Sequence, residues 1–135
     1  MTDSELMQLS EQVGQALKAR GATVTTAESC TGGWVAKVIT DIAGSSAWCE
    51  PVVVEMAIGA LKAARADYAV SISGIAGPDG GSEEKPVGTV WFAFATARGE
   101  GITRRECFSG DRDAVRRQAT AYALQTLWQQ FLQNT

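Results

Sequence analysis

The stretch TTAESCTGGW, residues 25–34, gathers hydroxyls, a thiol, a carboxylate and two adjacent glycines where an apolar run gives way to a helical pattern. Ser29 could attack a carbonyl carbon, and Cys30 is the rival nucleophile. Gly32 and Gly33 would let a ligand approach the free N–H groups of the first helical turn, which favour a negative charge. The stretch therefore predicts a pocket for an anion or for the oxyanion of acyl transfer.

A structural interpretation of the same stretch stays open. Ser29 or Thr31 could simply cap the following helix, and the glycines could serve close packing of that helix on a sheet. The spacing matches neither the GxxxxGK[ST] phosphate loop nor the GxGxxG dinucleotide turn. Residue chemistry alone therefore leaves a reactive turn and a structural turn as alternatives.

The chain contains no histidine. This excludes Ser-His-Asp and Cys-His catalysis and any histidine-ligated metal, so proton transfer must use Lys, Glu, Asp, Tyr, Cys or water. The three cysteines, Cys30, Cys49 and Cys107, are widely separated, which favours reduced thiols over disulfides or a zinc site. We therefore expect neither a metal nor another cofactor.

A glycine-rich loop, SGIAGPDGGSEEKPVGT at 73–89, follows an apolar run that suits a buried strand. Backbone N–H groups of this loop could hold a phosphate, and Lys85 could neutralise it. Loops of this length that leave the carboxyl end of an inner strand often bind ligands. The alternative is a solvated loop without a ligand.

A third stretch, SGDRDAVRR at 109–117, opens the last helix. Arg112, Arg116 and Arg117 place positive charge in its first turns, against the helix dipole. Local pairing with Asp111 and Asp113 could compensate that charge, and so could a bound anion. A phosphorylated small molecule would account for all three stretches.

The elements that must position these residues follow from hydrophobic periodicity and from glycine and proline stops. The pattern predicts helices at 3–20, 31–40, 51–65 and 111–132, and strands at 23–26, 68–73, 89–97 and 102–108. The almost continuously apolar strand 89–97 must be buried on both faces, whereas 102–108 need not be. We predict a single α/β domain over residues 1–135, a sandwich with helices packed on a mixed β-sheet.

Twelve basic and 15 acidic residues give a formal net charge of −3 without a long block of one sign. This balance argues against nucleic acid and anionic membranes as partners. The chain also lacks an apolar run long enough to span a bilayer, and its first residues do not read as a signal peptide. We therefore expect a cytoplasmic protein.

Three blocks, AESCTGG at 27–33, SGIAGPDGG with KPVGTV across 73–90, and FSGDRDAVR at 108–116, resemble the signature of the CinA C-terminal domain family. The likeness is strongest to the stand-alone bacterial members that deamidate nicotinamide mononucleotide. It implies hydrolysis to nicotinate mononucleotide and ammonia, in pyridine nucleotide recycling, by a homo-oligomer whose partner is a small mononucleotide substrate.

The resemblance also implies roles for single residues. Ser29 becomes the nucleophile, and Thr31, Gly32 and Gly33 lie at the oxyanion or substrate pocket. The remaining implied contacts bind the nucleotide: Gly74, Ala76, Gly77, Lys85, Arg112 and Arg116.

The chain departs from the family pattern after Trp48, where members continue through a strand with a Tyr-Ser-Asn…Lys motif and a further helix. Here Cys49 and Glu50 lead directly to Pro51. The missing lysine is the residue we expect to deprotonate the serine, and Lys85 is the plausible substitute. Two alternatives follow: an inactive nucleotide-binding module, and a structural domain that associates through an exposed sheet edge.

Overall fold

A computed structural model describes residues 1–28, 31, 33–35, 38, 54–74, 77–78, 83 and 86–133. Its elements are α1 (Asp3–Arg20), β1 (Val24–Glu28), α2 (Val54–Ala64), β2 (Tyr68–Gly74), β3 (Thr89–Thr96), β4 (Gly101–Cys107), α3 (Arg112–Leu127) and a π-helical turn (Trp128–Leu132). None of the helices in this described part of the chain is both long and apolar enough to cross a membrane.

The four strands form one mixed sheet in the order β1-β2-β3-β4. β1 pairs parallel with β2, while β2 with β3 and β3 with β4 are antiparallel. The mixed sheet confirms the predicted fold class. The carboxyl ends of β1, β2 and β4 and the amino end of β3 consequently meet at one edge, since Gly74 pairs with Val90 and Thr89 with Cys107.

Helices cover both faces of the sheet. On one face the side chains of β2 and β3 share a core with α1 and α3: Val70, Ile72, Phe92 and Phe94 with Val13, Leu17, Val115, Ala119 and Leu124. On the other face the small side chains Ala69, Ser71 and Ala93 lie beneath α2, whose Ala57 and Ala60 are also buried. The result is a three-layer sandwich, in which small residues let α2 approach the sheet closely.

The first helix has the predicted bounds. Thr2 and Glu5 form a capping box, and Gly21 ends the helix in the left-handed conformation at φ 60°. Hydrogen bonds from Thr2 to the carboxylate hold the pKa of Glu5 below its ordinary value. One stripe of the helix is buried in the core: Leu6, Leu9, Val13 and Leu17.

The remaining elements follow the prediction with small differences. β1 runs to Glu28, two residues beyond the predicted end, because its parallel pairing continues to Ile72 of β2. β3 is almost wholly buried and β4 is mostly exposed, as their hydrophobic patterns predicted. In the predicted helix 31–40, the structure describes Trp34, Val35 and Val38 as helical.

The last helix was predicted as one segment to Leu132, but its final turn is π-helical. The wider turn allows Phe131 to contact both Tyr68 and Phe94, at ring-centroid distances of 6.2 and 6.3 Å. Arg20 Nη2 donates to the Leu132 carbonyl at 2.7 Å. The end of α1 is therefore tied to the end of the last helix, which π-helical geometry helps to position.

The glycine before β3 provides a test of this packing. Gly88 has φ +98°, and a Cβ there would lie 2.0 Å from the Phe108 carbonyl oxygen. Gly99 has a similar φ of +91° with open space around it. We expect Gly99→Ala to cost about 1 to 2 kcal/mol from the left-handed backbone alone, and Gly88→Ala to cost a further ~2 kcal/mol from overpacking.

Urea-induced unfolding, monitored by circular dichroism, measures the free energy of unfolding of both variants. Equal losses in the two variants would contradict the close approach at Gly88.

Candidate active site

The turn after β1 is organised by the carboxylate of Glu28. Its Oε1 accepts hydrogen bonds from the Thr31 hydroxyl at 2.9 Å and from the Val35 backbone N–H at 2.7 Å. Its Oε2 accepts from the Thr26 hydroxyl at 3.1 Å. The backbone N–H of Trp34 also donates to the Thr31 carbonyl oxygen, at 3.0 Å. One acidic side chain therefore closes the turn and satisfies an N–H group of the first helical residues.

Arg116 reaches the same turn from α3. Its Nη2 donates to the Thr31 carbonyl oxygen at 2.9 Å, and its guanidinium carbon lies 5.4 Å from the centre of the Trp34 ring. Asp113 lies 3.7 Å from the Arg116 Nη1. The Arg117 guanidinium also lies over Trp34, at 5.1 Å. The described residues of the turn are thus held both by Glu28 and by arginines of α3.

Arg112 makes the corresponding contact with the glycine-rich loop. Its Nη1 donates to the Gly77 carbonyl oxygen at 2.8 Å. Because Arg112 and Arg116 are four residues apart, they lie on one face of α3 and reach one loop each. Asp111 caps the start of α3 by accepting a hydrogen bond from the Ala114 backbone N–H at 2.8 Å.

The glycine-rich loop leaves β2 where two strands approach closely. A Cβ at Gly74 would lie 2.6 Å from the Thr89 carbonyl oxygen, so only glycine fits. Thr89 is buried, and both its N–H and its hydroxyl donate to the Pro86 carbonyl, at 3.0 and 2.6 Å. Gly77 is itself buried beside Arg112. Both ends of the loop are therefore fixed by the sheet edge.

Six of the predicted site residues lie at this edge in the described part of the chain: Thr31, Gly33, Gly74, Gly77, Arg112 and Arg116. The other four lie outside the described residues: Ser29, Gly32, Ala76 and Lys85. The structure therefore brings the three predicted stretches together, and the chemical roles of the ten residues stay predictions.

Sequence reasoning missed the roles of Glu28 and Trp34. Thr31 is fully buried, and its hydroxyl donates to Glu28. A carboxylate before a helix is a favourable capping group, and this signal could have indicated Glu28. The contact between Trp34 and two arginines of a distant helix has no counterpart in local sequence.

Tyr122 is a further titratable group near this edge. It packs against Phe92 and Phe108, at ring-centroid distances of 4.6 and 6.0 Å. Burial raises the pKa of Tyr122 above its ordinary value, and the neighbouring Glu106 carboxylate adds to the shift. The phenol therefore stays protonated at neutral pH and is unsuited to act as a base.

The model of the CinA C-terminal domain matches residues 6–54 and 47–131. The chain belongs to the CinA C-terminal domain family. The two matched stretches meet at 47–54, where the sequence departed from the family pattern after Trp48. Family membership and the position of the absent segment are thereby confirmed.

Two relatives align with this chain over its whole length or nearly so. The nicotinamide-nucleotide amidohydrolase PncC of Escherichia coli K12 is 81% identical over 165 residues, covering 100% of both chains. The protein of the same name from Enterobacter agglomerans is 51% identical, covering 99% of this chain and 100% of its own. Since this family member has 135 residues against 165 aligned positions, 30 positions of the E. coli protein have no counterpart here.

Solved structures of the family share the fold. The competence/damage-inducible protein CihA of Agrobacterium tumefaciens superposes with a TM-score of 0.88 at 32% identity, covering 94% of this chain and 96% of that one. A CinA-superfamily protein of E. coli superposes with a TM-score of 0.86 at 30% identity, covering 97% of this chain and 94% of that one. These values confirm helices packed on a mixed sheet.

The Glu28 carboxylate gives a testable consequence. Glu28→Ala leaves the Val35 N–H and the Thr31 hydroxyl without this acceptor. We therefore expect it to lower the free energy of unfolding by about 2 kcal/mol. Glu28→Gln keeps one acceptor oxygen, so its free energy of unfolding should fall by about half as much. Urea unfolding measures both. Glu11→Ala, on the exposed side of α1, is the control, and a Glu28→Ala variant no less stable than that control would contradict the assignment.

Proposed function

We propose that this chain hydrolyses the carboxamide of nicotinamide mononucleotide to give nicotinate mononucleotide and ammonia, as part of pyridine nucleotide recycling. The observation that carries the proposal is the full-length similarity, at 81% identity, to a nicotinamide-nucleotide amidohydrolase. It supports an active hydrolase over an inactive nucleotide-binding module. Contacts that hold two loops at one sheet edge supply a scaffold for such a site.

Ser29 is the proposed nucleophile. Its hydroxyl oxygen attacks the amide carbon, ammonia leaves with the proton taken from the serine, and water then hydrolyses the acyl ester. Backbone N–H groups of Thr31, Gly32 and Gly33 would face the oxyanion, since they precede the helical residues Trp34 and Val35. The Thr31 hydroxyl already donates to Glu28, so we assign Thr31 a backbone role.

The phosphate is proposed to lie between the glycine-rich loop and the start of α3. Backbone N–H groups at Gly74, Ala76 and Gly77 would provide donors, and Lys85 would provide charge. Arg112 and Arg116 add two cations on the side of α3 that faces both loops. Cations in the first turns of a helix oppose its dipole, so a bound dianion would stabilise them.

The cytoplasmic location and the homo-oligomeric state remain proposals based on the sequence. No contact in the described residues bears on either.

Replacement of the proposed nucleophile tests the reaction. Ser29→Ala should lower the rate of ammonia release from nicotinamide mononucleotide by about a thousandfold or more, because the acyl intermediate can no longer form. Cys30→Ala is the matched control and should retain activity. A coupled glutamate dehydrogenase assay follows the ammonia. The reverse pattern would move the nucleophile to Cys30, and equal rates in parent and Ser29→Ala would remove the proposed role of Ser29.

The absent 30 positions provide a second test. Insertion of the E. coli segment between Trp48 and Pro51 should raise kcat by about a hundredfold or more, because a positioned general base contributes that much. The same insertion with its lysine changed to methionine should not. Without the insertion, Lys85→Met should abolish residual turnover if Lys85 substitutes as the base. An unchanged kcat after insertion would contradict a lysine base in that segment.

A further inference from the structure

The carbonyl oxygen of Thr31, in the turn after β1, accepts two hydrogen bonds. It accepts from the Trp34 N–H at 3.0 Å within the turn and from Arg116 Nη2 at 2.9 Å across 85 residues of sequence. Thr31 itself is fully buried. A charged donor on a buried carbonyl is among the stronger hydrogen bonds in proteins, so this contact restrains the turn.

The guanidinium of Arg116 is in turn oriented by its surroundings. The Trp34 ring lies 5.4 Å from its central carbon, and Asp113 lies 3.7 Å from Nη1. Only 27% of the Arg116 side chain is exposed. A cation–π contact with an indole and a directed hydrogen bond together favour one orientation of a planar guanidinium, which a lysine ammonium cannot reproduce.

The backbone that carries Arg116 is anchored in the core. Its neighbour Val115 and the following Ala119 are both 0% exposed within the core cluster. The Thr120 hydroxyl donates to the Arg116 carbonyl at 2.8 Å. Arg116 therefore connects a helix packed in the core to the turn after β1.

We propose that Arg116 is a positioning residue for the nucleophile turn, held in its orientation by Trp34, in addition to any attraction of its charge for the phosphate. This inference rests on the proposed function, because it assigns Arg116 an effect on the reacting end of the substrate. A phosphate contact alone would act on the other end. The two effects are separable by removing the phosphate from the substrate.

The test compares Arg116→Gln and Arg116→Lys with the parent on nicotinamide mononucleotide and on nicotinamide riboside, which has the same carboxamide without the phosphate. A positioning role predicts that Arg116→Gln lowers kcat about ten- to a hundredfold on both substrates by the same factor, with partial recovery in Arg116→Lys. Arg98→Gln is the control, because Arg98 pairs with Glu100 at the opposite sheet edge. It should leave both rates unchanged.

Hydrogen exchange at the Trp34 amide provides a second measurement that needs no turnover. Loss of the Arg116 contact should speed this exchange about tenfold, because the carbonyl that accepts the Trp34 N–H is no longer restrained. Arg98→Gln should leave it unchanged.

A rise in KM for the mononucleotide alone, with unchanged riboside kinetics and unchanged Trp34 exchange, would overturn the inference and leave Arg116 as a phosphate ligand. If the parent releases ammonia from neither substrate, the proposed function is refuted instead. In that case exchange alone decides the inference: faster exchange in Arg116→Gln supports it, and unchanged exchange overturns it.

Discussion

Everything at the candidate site depends on the parallel pairing of β1 with β2. Parallel strands bring their carboxyl ends to the same edge, so the turn after Glu28 and the loop after Gly74 start side by side. The antiparallel β3 and β4 then return the chain to that edge, where α3 begins. Without this one parallel pair, the two loops would lie at opposite ends of the sheet. The arginines of a single helix could not then reach both.

The first turns of α3 carry arginines, although the helix dipole disfavours positive charge there. Oxygen atoms of neighbouring residues stabilise these guanidinium groups. Asp111 caps the helix, and Asp113 lies close to Arg116. The two arginines also donate to the carbonyls of Gly77 and Thr31. Backbone carbonyls carry only partial charges, so they orient the guanidinium groups without neutralising them. The start of α3 therefore places two guanidinium groups at this sheet edge, each oriented by a backbone carbonyl of one loop.

Much of the architecture could be predicted from local sequence. Thr2, Glu5 and Gly21 specify the bounds of α1 because capping is decided within a few residues, and the burial of β3 follows from its unbroken apolar pattern. The contacts of the site could not be predicted, because they join residues distant in sequence. Nothing near Trp34 indicates that an arginine of α3 lies over its ring. Likewise, the pairing of Glu28 with both Thr31 and Val35 depends on the conformation of the intervening turn.

Thirty positions of the E. coli relative have no counterpart in this chain. They fall between the turn after β1 and α2, yet α2 still packs on β1, β2 and β3, and Ala57 and Ala60 are buried against the sheet. The core on the other face is formed by α1, α3 and the inner strands, which lie outside that segment in sequence. The packing of the described sandwich therefore needs none of those positions. A chain without histidine, however, has few groups that can accept a proton at neutral pH. If the proposed reaction uses a lysine of the absent segment, the shorter chain should therefore transfer that proton more slowly while the described packing is kept.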